Sequence, residues 1–350
     1  MVSSLNLDNV KPEQSLGYGH WVKLICGASN EDLISIEDLC GIYTLAGVDC
    51  IDVAASVSVV AAANRGINWA VDRGAKQPWL MISLSDGEDP HFRKASFDHN
   101  SCPEDCARPC QDICPTLAIS SFGGIISNLC YGCGRCLPIC PSDLINTSYS
   151  LVTEQEILSL IKDTSPNVIE IHTQLGRLKS FSDRLKQLHL SRIPFNRVAI
   201  SFGLEFGLDK KNLSQLVVEL WIRYSLMCKY GFRPIWQLDG RPMSGDIGAG
   251  TAYAAVRLLT TLSSLVPPGP LQLAGGTNSK TLLLLAQNFE ILQNKSLSAA
   301  GVAFGSIARR LLQPLLREAD SAGISLREYP LLRDEAVRLA YGLISPWRRR

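Results

Sequence analysis

The chain has 350 residues with a formal net charge of +1, and it is 46% hydrophobic and 19% charged. This composition supports a globular fold with a large core and excludes an intrinsically disordered chain. The nearly balanced charge argues against a nucleic-acid-binding surface, which requires an excess of basic residues. We also expect no transmembrane segment, because the longest apolar stretch, residues 51–63, is shorter than a membrane span and is interrupted by serines.

Short β-rich runs alternate with helical stretches along most of the chain. Eight runs predict strands, at residues 22–26, 50–54, 79–84, 168–172, 198–202, 235–238, 271–274 and 301–304. Helix signals lie between them, including an acidic first turn at 35–39, a capping box at 153–156 and two long stretches at 209–230 and 251–265. Such alternation indicates a parallel sheet. Eight strands favour a closed (β/α)8 barrel over an open, doubly wound sheet.

Eight of the twelve cysteines lie between the third and fourth predicted strands, in two runs that each end in Cys-Pro. The second run has the spacing of a bacterial ferredoxin, which holds cubane iron–sulfur clusters: Cys130, Cys133, Cys136 and Cys140, followed by Pro141. The first run has the same form with wider steps: Cys102, Cys106, Cys110 and Cys114, followed by Pro115. The pattern therefore predicts one-electron chemistry.

In a two-cluster ferredoxin the fourth cysteine of each run ligates the other cluster. We therefore expect one cluster on Cys102, Cys106, Cys110 and Cys140. The second is expected on Cys114, Cys130, Cys133 and Cys136. Both are expected to be [4Fe-4S], although the wide first run leaves a [3Fe-4S] form open for the first cluster. Gly132 and Gly134, between ligands of the second run, let the backbone pass close to a cluster.

Two other uses of the cysteines stay open on sequence grounds. Disulfides are disfavoured, because residues 1–6 lack the features of a signal peptide and we expect a cytoplasmic protein. Structural zinc on the second run is the other alternative. The four remaining cysteines lie in apolar surroundings and are expected to be buried free thiols: Cys26, Cys40, Cys50 and Cys228.

The barrel offers a second candidate site at the carboxyl ends of its strands. Polar residues there are Asn30, Asp52, Asp86, His172, Gln174, Glu205, Asp239 and Arg241. Glycine-containing turns after the seventh and eighth strands predict a weak phosphate site at Gly275, Gly276, Thr277, Gly305 and Ser306. A third glycine-rich helix start lies at 246–251. We expect His172 to be structural, and we assign no catalytic residue because the chain contains no nucleophile–base motif.

These patterns divide the chain into four segments. Residues 1–96 and 149–310 are expected to form the barrel, and residues 97–148 an inserted ferredoxin-type module. Residues 311–350 are expected to be a helical extension that ends in a solvated basic tail.

The cysteine pair follows an N-terminal segment, residues 19–30, with the sequence GHWVKLICGASN. This order of parts resembles the light-dependent period protein (LdpA) family of oxygenic photosynthetic bacteria, including its long C-terminal region from about Leu151. The resemblance implies an iron–sulfur redox sensor that relays light-dependent redox state to the circadian clock. It also implies clock proteins, histidine kinases among them, as partners, with an electron donor or a quinone-linked signal as input.

A second function stays open beside the sensor. A ferredoxin-coupled oxidoreductase would bind FMN or a phosphate-bearing ligand in the barrel, fed with electrons by the inserted module. The missing catalytic motif makes us expect a sensor rather than an enzyme.

Overall fold

The computed structural model describes residues 10–120, 124–149, 153–203, 210–241, 248, 250–292 and 299–350. The strands in this part of the chain are β1 (Trp21–Gly27), β2 (Cys50–Ala54), β3 (Trp79–Ser85), β4 (Arg93–Ser96), β5 (Ile119–Ser120), β6 (Gly124–Ile125), β7 (Asn146–Tyr149), β8 (Val168–His172), β9 (Arg197–Gly203), β10 (Pro234–Asp239), β11 (Leu271–Ala274) and β12 (Gly301–Phe304). The helices are α1 (Pro12–Tyr18), α2 (Leu33–Ala46), α3 (Val57–Val71), α4 (Pro109–Asp112), α5 (Glu154–Thr164), α6 (Leu178–Leu190), α7 (Lys210–Lys229), α8 (Ala252–Leu262), α9 (Thr281–Leu292), α10 (Ser306–Ser321) and α11 (Pro330–Arg348).

Eight strands form one closed barrel in the order β1-β2-β3-β8-β9-β10-β11-β12, and β12 pairs back to β1. Every neighbouring pair is parallel. Each of the eight predicted strands is present within one residue of its predicted bounds. The predicted (β/α)8 barrel is therefore confirmed.

The interior of the barrel changes from apolar to polar along its axis. At the amino end, a buried apolar cluster fills the barrel interior. Leu16 of α1 contributes to this cluster together with one residue from each of six strands: Trp21, Cys50, Met81, Val168, Ala199 and Ile235. Two residues further along each of six strands, the buried residues are Lys23, Asp52, Ser83, Glu170, Ser201 and Gln237. Because residues two apart on a strand face the same side, these polar groups point into the barrel. The main apolar core lies outside, between strands and helices.

The inserted segment leaves the barrel after β3 and returns before β8. Its neck is an antiparallel pair, β4 with β7, in which Arg93 lies opposite Tyr149. A second short antiparallel pair, β5 with β6, lies within the segment. The segment has a small core of its own around Cys110, Ile119, Cys136 and Ile145.

The C-terminal helices pack against the barrel rather than fraying from it. Buried Asp38 of α2 accepts hydrogen bonds from the backbone nitrogen of Leu326 at 2.9 Å and from the hydroxyl of Ser325 at 2.7 Å. At the end of the chain, Arg350 donates to the carbonyl of Gly19 and lies over the Trp347 ring at 4.0 Å. Arg348 also donates to a backbone carbonyl, that of Gly47, whereas Arg349 donates to the Tyr341 hydroxyl. The basic tail is therefore exposed at Arg349 and Arg350, as expected, but it is hydrogen-bonded to the protein rather than frayed.

Three smaller expectations also differ from the structure. The helix expected to open at residues 35–39 begins at Leu33, because the Asp32 carboxylate caps it by accepting from the backbone nitrogen of Ser35. Cys228 is exposed on α7, whereas Cys26, Cys40 and Cys50 are buried as expected. Glu205 and half of the glycine-rich stretch 246–251, namely residues 246, 247 and 249, lie outside the described residues. No helix in the described part of the chain is both long and apolar enough to cross a membrane.

Candidate metal centres and the barrel mouth

The eight cysteines of the inserted segment lie around two separate pockets. One pocket, of about 360 Å³, is lined by Cys114, Cys130, Cys133 and Cys136. The other, of about 390 Å³, is lined by Cys102, Cys106, Cys110 and Cys140. Each pocket thus takes three cysteines from one run and the fourth from the other. Ile119 lines both pockets, so they are close neighbours.

Backbone amides point at sulfur in both pockets. In the first, Ala118 donates to Cys114 Sγ at 3.2 Å and Ala95 of β4 donates to Cys130 Sγ at 3.4 Å. In the second, Arg108 donates to Cys106 Sγ at 3.4 Å and Leu144 donates to Cys140 Sγ at 3.4 Å. Such bonds stabilise negative charge on sulfur and tune the potential of a ligated cluster.

The loop between Cys130 and Cys136 needs glycine at two positions. Gly132 and Gly134 have φ of 70° and 74°, in the left-handed region. A Cβ on Gly132 would overlap the carbonyl oxygen of Arg93, and a Cβ on Gly134 would overlap the Arg93 guanidinium. The glycines therefore let the loop pack directly against strand β4.

The donor set fits a cationic metal cluster. Burial, followed by the nearby thiols of Cys133 and Cys130, raises the pKa of Cys136 to about 12. Four sulfurs gathered in one apolar pocket cannot carry thiolate charge unless positive charge compensates it. Iron supplies that charge, and thiolates are its ligands in iron–sulfur proteins.

A larger pocket, of about 750 Å³, lies at the carboxyl end of the barrel. The five residues of the expected phosphate site come together on its wall: Gly275, Gly276, Thr277, Gly305 and Ser306. The pocket is also lined by Asp52, Glu170, His172 and Asp239. Of the strand-end residues expected here, Asn30, Asp86, Gln174 and Arg241 are not among those that line this pocket.

A buried charge network, which no sequence motif predicts, lies at the bottom of the pocket. Lys23 Nζ contacts Glu170 and lies 3.6 Å from Asp52 Oδ2. Burial disfavours the charged form of each of these groups. For Glu170, the opposing charges and hydrogen bonds of Lys23 and His172 together exceed the effect of burial and lower the pKa of that carboxyl to about 2. Burial prevails for Asp52 and raises its pKa to about 6. The sequence signal was there, since Lys23 and Glu170 interrupt otherwise apolar strands.

His172 connects this network to the pocket. Its Nε2 lies 3.0 Å from Glu170 Oε1. Burial opposes the imidazolium, but the hydrogen bond and charge of Glu170 dominate and raise the pKa of His172 to about 9.

Tyr131 joins the cysteine segment to the barrel mouth. It lies between Cys130 and Cys133 in the chain and lines both the 360 Å³ cysteine pocket and the barrel pocket. The guanidinium of Arg309, in the first turn of α10, lies 4.5 Å from the Tyr131 ring centre. The same guanidinium donates to the carbonyl of Ile25 at 2.8 Å. A stacked cation–π contact thus ties the cysteine loop to strand β1.

Fold and cysteine pockets together define a class: an α/β-barrel protein with an inserted iron–sulfur module. Comparison with known families agrees. The LdpA Fe-S cluster-binding domain matches residues 102–151, and the Light dependent period A C-terminal domain matches residues 160–346. The curated protein Light dependent period A of Synechococcus elongatus is 43% identical over 337 residues, covering 96% of this chain and 93% of that protein. The chain belongs to the light dependent period A family.

The solved structures that are similar to this chain have much lower sequence identity to it than the curated relative has. A truncated 3-deoxy-D-arabino-heptulosonate 7-phosphate synthase from Thermotoga maritima is 10% identical, with a TM-score of 0.43 over 88% of this chain and 89% of its own. The (S)-3-O-geranylgeranylglyceryl phosphate synthase from Thermoplasma acidophilum is 12% identical, with a TM-score of 0.40 over 94% of this chain and 98% of its own. The barrel assignment rests on the strand register of the chain itself.

Proposed function

We propose that this protein is an iron–sulfur redox sensor that relays the light-dependent redox state of the cell to the circadian clock through protein partners. The observation that carries the proposal is the pair of four-cysteine pockets, one of which shares Tyr131 with the barrel mouth. Membership of a family named for light-dependent period supports the connection to the clock. The proposal places the protein in the cytoplasm.

The proposed ligand sets follow the two pockets. Cluster 1 is held by Cys102, Cys106, Cys110 and Cys140. Cluster 2 is held by Cys114, Cys130, Cys133 and Cys136. Both are proposed as [4Fe-4S], and cluster 1 is the one for which a [3Fe-4S] form is the alternative. When bound, such clusters supply one-electron transfer.

Residues around cluster 2 would carry the signal outward. Tyr131 and Arg309 lie between its pocket and strand β1, so a change of one unit of charge there is felt by the Arg309 guanidinium. Repositioning of that side chain would alter the barrel mouth and the surface above it. A coupling free energy of about 1–3 kcal/mol is sufficient for a roughly 5- to 150-fold change in partner affinity.

Proposed partners are clock proteins, including histidine kinases, and the proposed input is an electron donor or a quinone-linked signal. The test is the affinity of an immobilised clock kinase for the cluster-loaded protein, measured anaerobically in oxidised and dithionite-reduced forms. We expect at least a fivefold difference that shrinks in Tyr131→Ala, with Tyr18→Ala, an exposed tyrosine on α1, as the control. Equal affinities in both redox states would contradict the proposal.

A second candidate function is a ferredoxin-coupled oxidoreductase with FMN or another phosphate-bearing ligand in the barrel. It is favoured by the convergence of the two glycine turns on one 750 Å³ pocket that Tyr131 also lines. Purified protein should then bind FMN, and Gly276→Val should weaken binding, since a side chain there would press on Thr251. Absence of FMN binding, with no turnover from a reduced donor, counts against this function.

A further inference from the structure

Two histidines and an aspartate converge at the barrel mouth, beside the entry to the cysteine segment. Asp89 and His91 belong to the 3-10 turn that follows β3, and His172 ends β8. His91 Nδ1 lies 2.7 Å from Asp89 Oδ1, and His172 Nδ1 lies 4.0 Å from the same oxygen. One ligand atom from each of the three residues lies within 4.8 Å of the other two.

The orientation of His172 suits a metal ligand. Its Nε2 is engaged by Glu170 at 3.0 Å, so its Nδ1 is the nitrogen that faces Asp89. Phe92 packs edge-on against the ring, with the ring centres 5.2 Å apart. A carboxylate that holds the far nitrogen of a histidine is the usual support for a metal-bound imidazole.

The cluster borders the pocket at the barrel mouth. His91, His172 and Glu170 line the 750 Å³ pocket, while Asp89 and His172 are more than nine-tenths buried. Three protein ligands with remaining positions facing a pocket are the arrangement of an open, reactive metal site rather than a closed structural one.

We propose that Asp89, His91 and His172 bind one divalent transition-metal ion of the zinc, iron(II) or cobalt class. Two imidazole nitrogens and one carboxylate oxygen suit these ions. Ligand atoms about 2.1 Å from a shared tetrahedral ion lie about 3.4 Å apart. His172 Nδ1 lies 4.0 Å from Asp89 Oδ1, and the ligand atoms of the trio lie within 4.8 Å of one another. The separations therefore have to shorten by roughly 0.6 to 1.4 Å, which requires side-chain rotation on the short turn that carries Asp89 and His91.

The position of this site sets it beside cluster 2. Strand β4 begins two residues after His91, and its Ala95 amide donates to Cys130 Sγ. Lys94 of the same strand donates to the carbonyl of Ser127 at 2.8 Å. An ion held by the 3-10 turn would therefore be linked to a cysteine ligand of cluster 2 through residues 92–95 and the hydrogen bond from Ala95.

The test uses Co²⁺ added to the anaerobically purified full-length protein whose iron and sulfide have been counted. We expect one Co²⁺ per chain after desalting, with visible d–d bands and no thiolate-to-cobalt charge-transfer absorption. His91→Ala and Asp89→Asn should each lower the affinity at least tenfold. Asn at position 89 can still accept from the backbone nitrogen of residue 91, which keeps the turn capped.

The control is His99→Ala, an exposed histidine on the next 3-10 turn, which should bind Co²⁺ like the unmodified protein. No bound Co²⁺ in the unmodified protein would mean that Asp89 and His91 form an ion pair only, and it would overturn the proposal. So would Co²⁺ binding that persists in His91→Ala, or a spectrum dominated by thiolate ligation, which would place the metal on the cysteines.

Discussion

The buried Lys23 offers the sharpest test of how the barrel interior is held together. Lys23→Met removes the cation that contacts Glu170 and lies 3.6 Å from Asp52 Oδ2, while keeping much of the side-chain volume. Both side chains of the Lys23–Glu170 pair are fully buried, so solvent does not screen the loss. Removing one partner of such a pair costs about 3–5 kcal/mol. At a urea m value of about 3 kcal/mol/M, the midpoint of unfolding should fall by about 1 M or more.

The pH dependence of this loss has a defined sign. In the unmodified protein the pKa of Glu170 is lowered to about 2, so its contribution is present above its ordinary value near 4.5 and is lost only as pH falls toward 2. Without Lys23, the pKa of this carboxyl should rise from its lowered value, because the largest charge that opposes burial is gone. The stability difference between the two proteins should therefore be full above about pH 4.5 and should narrow as pH falls toward 2.

Urea unfolding followed by far-UV circular dichroism, under anaerobic conditions, measures both effects. The matched control is Arg338→Met, which breaks an exposed pair with Glu335 on α11 and should leave the midpoint unchanged. Adding Glu170→Gln to Lys23→Met should recover part of the loss, because it removes the uncompensated charge. An unchanged midpoint in Lys23→Met, or a double variant as unstable as the sum of the two single variants, would refute the reasoning.

Three further outcomes are expected. Gly132→Ala should lose about half of the bound iron, because the added Cβ would overlap strand β4. The control Gly74→Ala, at a glycine with φ of 90° and open space around it, should keep all of its iron, and equal iron contents in the two variants would contradict the prediction. Cys114→Ser should abolish the EPR signal of cluster 2, and Cys140→Ser should abolish that of cluster 1. If Cys114→Ser instead abolished the signal of cluster 1, and Cys140→Ser that of cluster 2, each run would hold its own cluster with all four of its cysteines. Burial raises the pKa of Asp49 to about 6, so ionising this residue lowers the free energy of unfolding as pH rises from about 4 to 6. Asp49→Asn should therefore make the urea midpoint less dependent on pH over that window, and an unchanged pH dependence would disprove it.

The strands of the barrel were predictable because each is a short apolar run bounded by polar or glycine-containing turns, as at residues 50–54 and 271–274. A parallel barrel strand is buried on both faces, so its sequence is mostly apolar, with single polar residues such as Asp52 and Gln272 where the barrel interior is polar. Helix ends were less predictable, since the start of α2 depends on the side chain of Asp32 rather than on periodicity.

The cysteine pattern predicts two cluster ligand sets, and the linings of the two pockets have the same grouping, while the ligation itself stays a prediction. The contact between Tyr131 and Arg309 was not predictable, since these residues are far apart in the chain and Tyr131 occupies a position of the cysteine run whose residue type the motif does not specify. Likewise, His91 and His172 meet only because β3 and β8 are neighbours across the insertion. Long-range proximity of this kind is set by the closed barrel and has no local sequence signal.

Metal analysis of anaerobically purified protein tests the central claim most directly. Two pockets of four cysteines predict about eight iron and eight sulfide per chain as two cubanes, or seven iron if cluster 1 is a three-iron form. EPR after reduction should show two signals that are lost separately in Cys114→Ser and Cys140→Ser. Zinc in the cysteine pockets with no acid-labile sulfide would contradict the account.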